Sequence, residues 1–109
     1  MWQAGANGEN AARDLTTRPS LRRRNFGQAD LKGAHCKDGV NLGGAYFRGA
    51  DLSWAWFSRA ILSEANLGET DLSKANLIGA NLSGARLNDA NLWKSACKTF
   101  QLLGVNSVQ

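Results

Sequence analysis

From residue 24 onward, a large apolar residue returns at every fifth position of the chain. The place two residues before it is small, and it holds Ala in most units. The pattern runs to residue 99 and comprises 15 units, interrupted once by an extra residue that we assign to Gly39. Cys36 and Cys97 fill two of the large places. The other large residues, which we predict to form the core, are Phe26, Leu31, Leu42, Phe47, Leu52, Phe57, Leu62, Leu67, Leu72, Leu77, Leu82, Leu87 and Leu92.

A period of five suits neither an α-helix nor a flat strand. On a helix, five residues advance the side chain by about 140°, so the large residues would spiral round every face. On a strand, an odd period would send alternate large residues into water. The pattern therefore predicts a chain that turns a corner after each unit, with the large and small places pointing inward. Gly, Asn, Asp and Ser crowd the outward places, as tight corners require.

Units such as ADLSW, ANLSG and TDLSK resemble the pentapeptide-repeat family, whose pattern is A(D/N)LXX. The resemblance implies an all-β fold: a right-handed quadrilateral parallel β-helix with four units per coil, here about four coils with short end caps. We assign residues 1–23 to a basic N-terminal arm and cap, 24–99 to the β-helix and 100–109 to a C-terminal cap or contact segment. In the arm, Ala12–Leu21 could cover the first coil through Leu15 and Leu21. At the other end, Phe100–Val105 could cap the last coil or pair two chains as a homodimer.

With four units per coil, Asp30, Asp51, Asp71 and Asn91 fall in one outward column. Stacked carboxylates can mark a catalytic or cation site, because each raises the pKa of its neighbour. Asn fills the same place in several other units, however, and both residue types cap the backbone N–H groups of corners. The sequence favours this structural role.

The cysteines and the single histidine also favour structural roles. Cys36 and Cys97 share a face but lie three coils apart, about 14 Å, which is too far for a disulfide. His35 points outward where Cys36 points inward, so the two cannot hold one metal ion. No nucleophile–base pair or phosphate-binding loop stands out. We therefore expect no catalytic, cofactor-binding or metal-binding residues, and no enzyme.

Charge is concentrated in the N-terminal arm. The 109 residues carry 13 Lys and Arg against nine Asp and Glu, and residues 1–24 hold five of the cations against two acids. Arg22, Arg23 and Arg24 could contact phosphates or anionic lipid, but such a cluster is more often solvated or paired with a carboxylate. The coil itself is nearly neutral. This departs from the acidic, DNA-like members of the family, so the sequence argues against DNA mimicry.

Composition and chain pattern also bear on location. No apolar run is long enough to span a bilayer, and the first residues lack the basic-then-apolar order of a secretory signal. Free thiols suit a reducing compartment. We expect a cytoplasmic protein.

Aromatic residues stand at outward places where the repeat usually carries polar ones. Tyr46, Trp54 and Trp56 fall within one coil, and Trp93 follows two coils later on the side of Trp54. Lys74 and Lys94 continue the column of Trp54. Trp and Tyr beside Lys are typical of protein-recognition surfaces, unless the arm or an end segment covers them. We predict a non-catalytic interaction or scaffold module with a protein partner. The alternative is a structural subunit of a larger assembly, and a nucleic-acid role through the basic arm ranks third.

Overall fold

The computed structural model describes residues 8–96 of the chain, with one helix and a β-helix built from single-residue bridges. Helix α1 spans Gly8–Thr17. From residue 20 onward, a parallel bridge occurs at every unit, in four columns that define four faces. Face 1 contains Ser20, Asn41, Ile61 and Asn81; face 2 contains Asn25, Tyr46, Asn66 and Arg86; face 3 contains Asp30, Asp51, Asp71 and Asn91; face 4 contains His35, Trp56, Asn76 and Ala96.

The bridges give the register of the coil directly. Bridge partners lie 21 residues apart in the first coil and 20 apart from Asn41 onward, so each coil consists of four five-residue units. The extra residue of the first coil is Lys37, so the prediction that it is Gly39 is wrong. Gly39 has φ +72° and occupies a regular corner place, whereas the N–H of Lys37 donates to the carbonyl of Leu15 in α1 at 2.7 Å.

The large and small places of the repeat line the interior. Twelve of the thirteen predicted core side chains are buried, and Leu92, in the last coil described, is half-buried. Phe26 stacks on Phe47 with ring centroids 4.9 Å apart, and Phe57 meets Phe47 edge-on at 6.2 Å. Ala at the small place leaves room for these side chains. Each large side chain contributes roughly 1.5–3 kcal/mol by its burial.

Each corner is a turn with the same hydrogen bonds. The N–H of Ala55 donates to the carbonyl of Leu52 at 3.0 Å, and Trp54 between them has φ +63°. A positive φ at the third residue of such a turn is the mark of type II geometry. The outward Asp or Asn caps the corner: Oδ1 of Asp51 accepts from the backbone N–H of Ser53 at 3.0 Å and from its hydroxyl at 2.6 Å. The Asp71 carboxylate receives the same two bonds from its own corner serine, so the acidic column on face 3 serves the turns.

Helix α1 covers the first coil. Ala11 and Leu15, four residues apart on one side of the helix, are fully buried, and the hydroxyl of Thr16 donates to the carbonyl of His35 at 2.8 Å. The helix ends at Thr17, before Arg18-Pro19, where the proline disfavours helical backbone in the residue ahead of it.

The β-helix begins one unit earlier than the predicted boundary at residue 24. Ser20 already pairs with Asn41, and Leu21 is buried in the first coil. Arg24 stands at an inward place that the repeat reserves for a small residue, and its guanidinium forms an ion pair with Asp14 of α1 at 2.9 Å. Across residues 8–96, no helix is both long and apolar enough to cross a membrane.

Candidate protein-interaction surface

The corner between faces 3 and 4 carries lysine, tryptophan or both on each of the four successive coils. We define the Trp/Lys corner as Lys32, Trp54, Lys74, Trp93 and Lys94. Nζ of Lys74 lies 4.7 Å from the ring centroid of Trp54 and 5.3 Å from that of Trp93. Nζ of Lys94 lies 4.8 Å from the Trp93 ring. The corner is thus a ladder of cation–π contacts, each worth about 0.5–1 kcal/mol at an exposed site.

Three residues of this ladder have backbone conformations that side chains disfavour. Trp54, Lys74 and Lys94 have φ of +63°, +60° and +55°. Gly33 stands at the same place of the first coil with φ +71°. A left-handed conformation costs a residue with a Cβ roughly 1–2 kcal/mol, and it is a clear outlier for a bulky side chain. The fold alone would therefore favour glycine at residue 54.

Trp56 lies round the same corner from Trp54, on face 4. Its ring stacks on the imidazole of His35, with centroids 5.1 Å apart and an interplanar angle of 17°. Trp54 and Trp56 are 52% and 51% exposed, and Trp93 is 58% exposed. Three indoles thus present about half of their surface on one side of the coil.

Tyr46 does not join this surface. It lies on face 2, opposite the face of Trp56, and packs over Gly27: a Cβ at residue 27 would approach its ring to 2.8 Å. The six side chains that the sequence grouped therefore divide into Trp54, Trp56, Lys74, Trp93 and Lys94 on one side and Tyr46 on the other.

The lysines of the Trp/Lys corner have no acidic partner among residues 11–96. The ion pairs of that part of the chain join Arg48 to Glu69, Arg59 to Asp38, and Asp14 to both Arg18 and Arg24. The nearest column of carboxylates, on face 3, accepts hydrogen bonds from the corners. Lys32, Lys74 and Lys94 are therefore not paired with an acid within residues 11–96, although the carboxylates of face 3 lie on the adjoining side of the coil.

The three arginines at the base of the arm do not form one basic patch. Arg24 is half-buried and paired with Asp14. Arg22 and Arg23 stand at the corner between faces 1 and 2, diagonally across the coil from the Trp/Lys corner. Their side chains pass close to the next coil, where a Cβ on Gly44 would lie 3.2 Å from Cγ of Arg23.

Other reactive groups lie apart from this surface. The Cys36 thiol is free and partly buried, and burial raises its pKa to about 12. His35 is exposed, whereas the neighbouring Cys36 is partly buried, so the two side chains point to different sides of the coil. In the described part of the chain, no three His, Cys, Asp or Glu residues are grouped as a metal site would require. The prediction for Cys97 and that for Phe100–Val105 fall outside the described residues.

Sequence reasoning missed two members of the surface. Lys32 belongs to the same outward column as Trp93, a relation that the four-unit register could have revealed. The stacking of His35 on Trp56 follows from their bridge across the first two coils, and the same register could have revealed that the two residues are neighbours.

Comparison with known proteins identifies this coil. The family model described as "Pentapeptide repeats" matches residues 25–63 and 57–93, with eight copies of the repeat. The chain belongs to the pentapeptide-repeat family. The predicted family and its β-helical solenoid fold are confirmed. No curated protein matches the chain.

Three solved structures of pentapeptide-repeat proteins resemble it closely. Rfr23 from the cyanobacterium Cyanothece 51142 is 32% identical with a TM-score of 0.79, and the alignment covers 85% of this chain and 63% of that one. A protein from the Arabidopsis thaliana thylakoid lumen is 33% identical with a TM-score of 0.77, over 83% of this chain and 63% of its own. HetL, involved in heterocyst differentiation regulation in Nostoc, is 33% identical with a TM-score of 0.78, over 83% of this chain and 43% of its own. The chain therefore spans less than two thirds of these relatives.

Proposed function

We propose that the chain is a non-catalytic protein-interaction module, a right-handed four-sided β-helix that docks on a protein partner through the Trp/Lys corner. The observation that carries the proposal is Trp54. An exposed indole occupies a left-handed corner place where glycine would fold at lower free energy. In the described part of the coil, every other residue at this positive-φ place is glycine or a charged or polar side chain.

The chemistry of the corner supports recognition. Trp is enriched among the residues that dominate binding energy at protein interfaces, and its ring gives a large contact area for few rotatable bonds. Lys74 contacts both Trp54 and Trp93, which restricts the two rings before a partner arrives. A pre-ordered side chain loses less conformational entropy on binding. The likeness to HetL, which is involved in a regulatory process, is consistent with such a role.

Substitutions for the test can be copied from the chain itself. Trp54→Gly reproduces Gly33 of the same column, and Trp93→Ser reproduces the serines that precede it in its own column. Tyr46→Asn reproduces Asn66 and removes an exposed aromatic ring from the opposite side. The double variant W54G/W93S and the control Y46N should therefore both keep the coil.

The experiment is affinity purification of the tagged chain from its native cells, with quantitative mass spectrometry and size analysis. We expect a partner that is recovered with wild type and Y46N and lost with W54G/W93S, each variant having a wild-type circular dichroism spectrum. Recovery that depends on Tyr46 alone would overturn the assigned surface. A large stoichiometric complex that survives both variants would instead support the alternative, a structural subunit of an assembly.

A further inference from the structure

We propose that the Trp/Lys corner binds an acidic segment of its protein partner, held extended along the axis of the coil. The inference rests on the proposed function and adds the chemistry of the ligand. It starts from Lys32, Lys74 and Lys94, which carry three positive charges on one corner and form no ion pair within residues 11–96. Charge complementarity across an interface favours a partner of the opposite sign.

Two other cations of the coil are paired with acids, whereas Arg22, Arg23, Lys37 and Arg86 form no ion pair within residues 11–96. Arg48 and Glu69 pair between neighbouring coils at 3.0 Å, and Nε and Nη2 of Arg59 both donate to the carboxylate of Asp38. These charges are neutralised within the chain, so they offer little to a ligand. The positive charge of the Trp/Lys corner remains available because its cross-coil partners are indole rings, which attract a cation without neutralising it.

The spacing along the axis suits an extended peptide. Successive coils lie about 4.8 Å apart, so Lys32 and Lys94, three coils apart, span about 14 Å. In an extended segment, side chains on one side repeat about every 6.7 Å, so the acids of one short segment reach all three lysines. Trp54 and Trp93, both more than half exposed, add apolar contact area and indole N–H donors to the same corner.

The same corner is poorly arranged for single-stranded nucleic acid. Such ligands bind by stacking bases on open aromatic faces. Here Lys74 occupies the space between the Trp54 and Trp93 rings, and Lys94 lies over Trp93. A base would have to displace these lysines, whereas a carboxylate binds them where they stand.

The test is selection of short random peptides displayed on phage against the folded wild-type chain. The selected peptides are then synthesised, and their affinity is measured by fluorescence anisotropy. We expect enrichment of peptides with clustered Asp and Glu, whose binding weakens as salt is added. K74Q/K94Q should weaken the binding of these peptides by about tenfold, because each exposed ion pair contributes modestly. Gln28 occupies the equivalent place of the corner between faces 2 and 3 with φ +62°, so the backbone at residues 74 and 94 can accept glutamine.

The control R23Q/R86Q removes two exposed charges from other parts of the coil and should leave the affinity unchanged. Each remaining outcome overturns the inference in a different way. Neutral or basic peptides that depend on Trp54 and Trp93 would refute the acidic ligand and leave the proposed function intact. Binding of a labelled oligo(dT) that depends on both tryptophans would assign the corner to nucleic acid instead. If no selected peptide depends on the corner, the inference and the proposed function both fail.

Discussion

Replacing Trp54 and Trp56 separately by glycine should distinguish a strained tryptophan from an unstrained one. The two rings are equally exposed, at 52% and 51%, so the loss of partial burial is similar for both and cancels when the variants are compared. The added freedom of glycine in the unfolded chain cancels in the same way. What remains is the difference in backbone conformation and in ring contacts.

Those two differences have opposite consequences for the two sites. Trp54→Gly relieves a left-handed conformation, which is worth roughly 1–2 kcal/mol, and loses a cation–π contact with Lys74 worth about 0.5–1 kcal/mol. Trp56 has no positive φ to relieve, and its replacement loses the stack on His35, about 0.5–1.5 kcal/mol. We therefore expect Trp56→Gly to be less stable than Trp54→Gly by about 0.5–3 kcal/mol.

Urea unfolding followed by circular dichroism measures this difference without relying on tryptophan emission. The alanine variants at the same two positions are the matched controls. Alanine keeps the Cβ, so the strain at residue 54 persists, and the difference in stability between the two sites should narrow to between about −0.5 and about 1 kcal/mol. Glycine variants of equal stability would refute the strain argument. A Trp54→Gly variant that is the less stable of the pair would mean that this ring holds the coil together.

Three further predictions concern the interior, an ion pair and the thiol. Ala80→Leu overfills a fully buried small place and should lower the free energy of unfolding by about 1–3 kcal/mol; an unchanged thermal midpoint would contradict the packing. Hydrogen bonds from Arg59 lower the pKa of Asp38, so its contribution to stability is present at neutral pH and is lost as pH falls through the depressed value. The stability gap between wild type and Asp38→Asn should therefore close below about pH 4, and a gap independent of pH would count against the pair. Because burial raises the pKa of Cys36 to about 12, iodoacetamide at neutral pH should alkylate it slowly in a Cys97→Ser background until urea is added; rapid alkylation of the folded chain would show an open thiol.

The repeat could be predicted from sequence because one physical requirement recurs in every unit. Each large residue must reach the axis and each partner must be small, so the five-residue register follows from counting, while the four faces are implied by the resemblance to the pentapeptide-repeat family. The inserted residue shows where counting fails. Gly39 interrupts the pattern, so the sequence predicts that it is the extra residue, yet glycine suits the left-handed corner. Lys37 is displaced because its N–H donates to the carbonyl of Leu15 in α1.

The five-residue pattern could not predict helix α1 or the first unit of the coil, and the reason is related. A ten-residue helix is marginal in water by itself and is stabilised by the surface that it covers. The packing of Leu15 and the pairing of Asp14 with Arg24 become visible only once the first coil exists. Arg24, which broke the repeat and was predicted as a basic contact, belongs to this junction.

The corners explain how a repetitive fold acquires an individual surface. Side chains at the corner place lie against the neighbouring coils, and two of the charged examples are paired there: Glu69 with Arg48, and Arg59 with Asp38. In such pairs the two opposite charges neutralise each other within the chain. The Trp/Lys corner is also held by contacts between coils, but its members are cations and neutral rings, so positive charge and apolar area both remain exposed. Because nine corners in the described part of the coil hold a non-glycine residue at positive φ, the exposed indole rings rather than the backbone conformation distinguish this corner, and those rings offer the apolar area that a partner could bury.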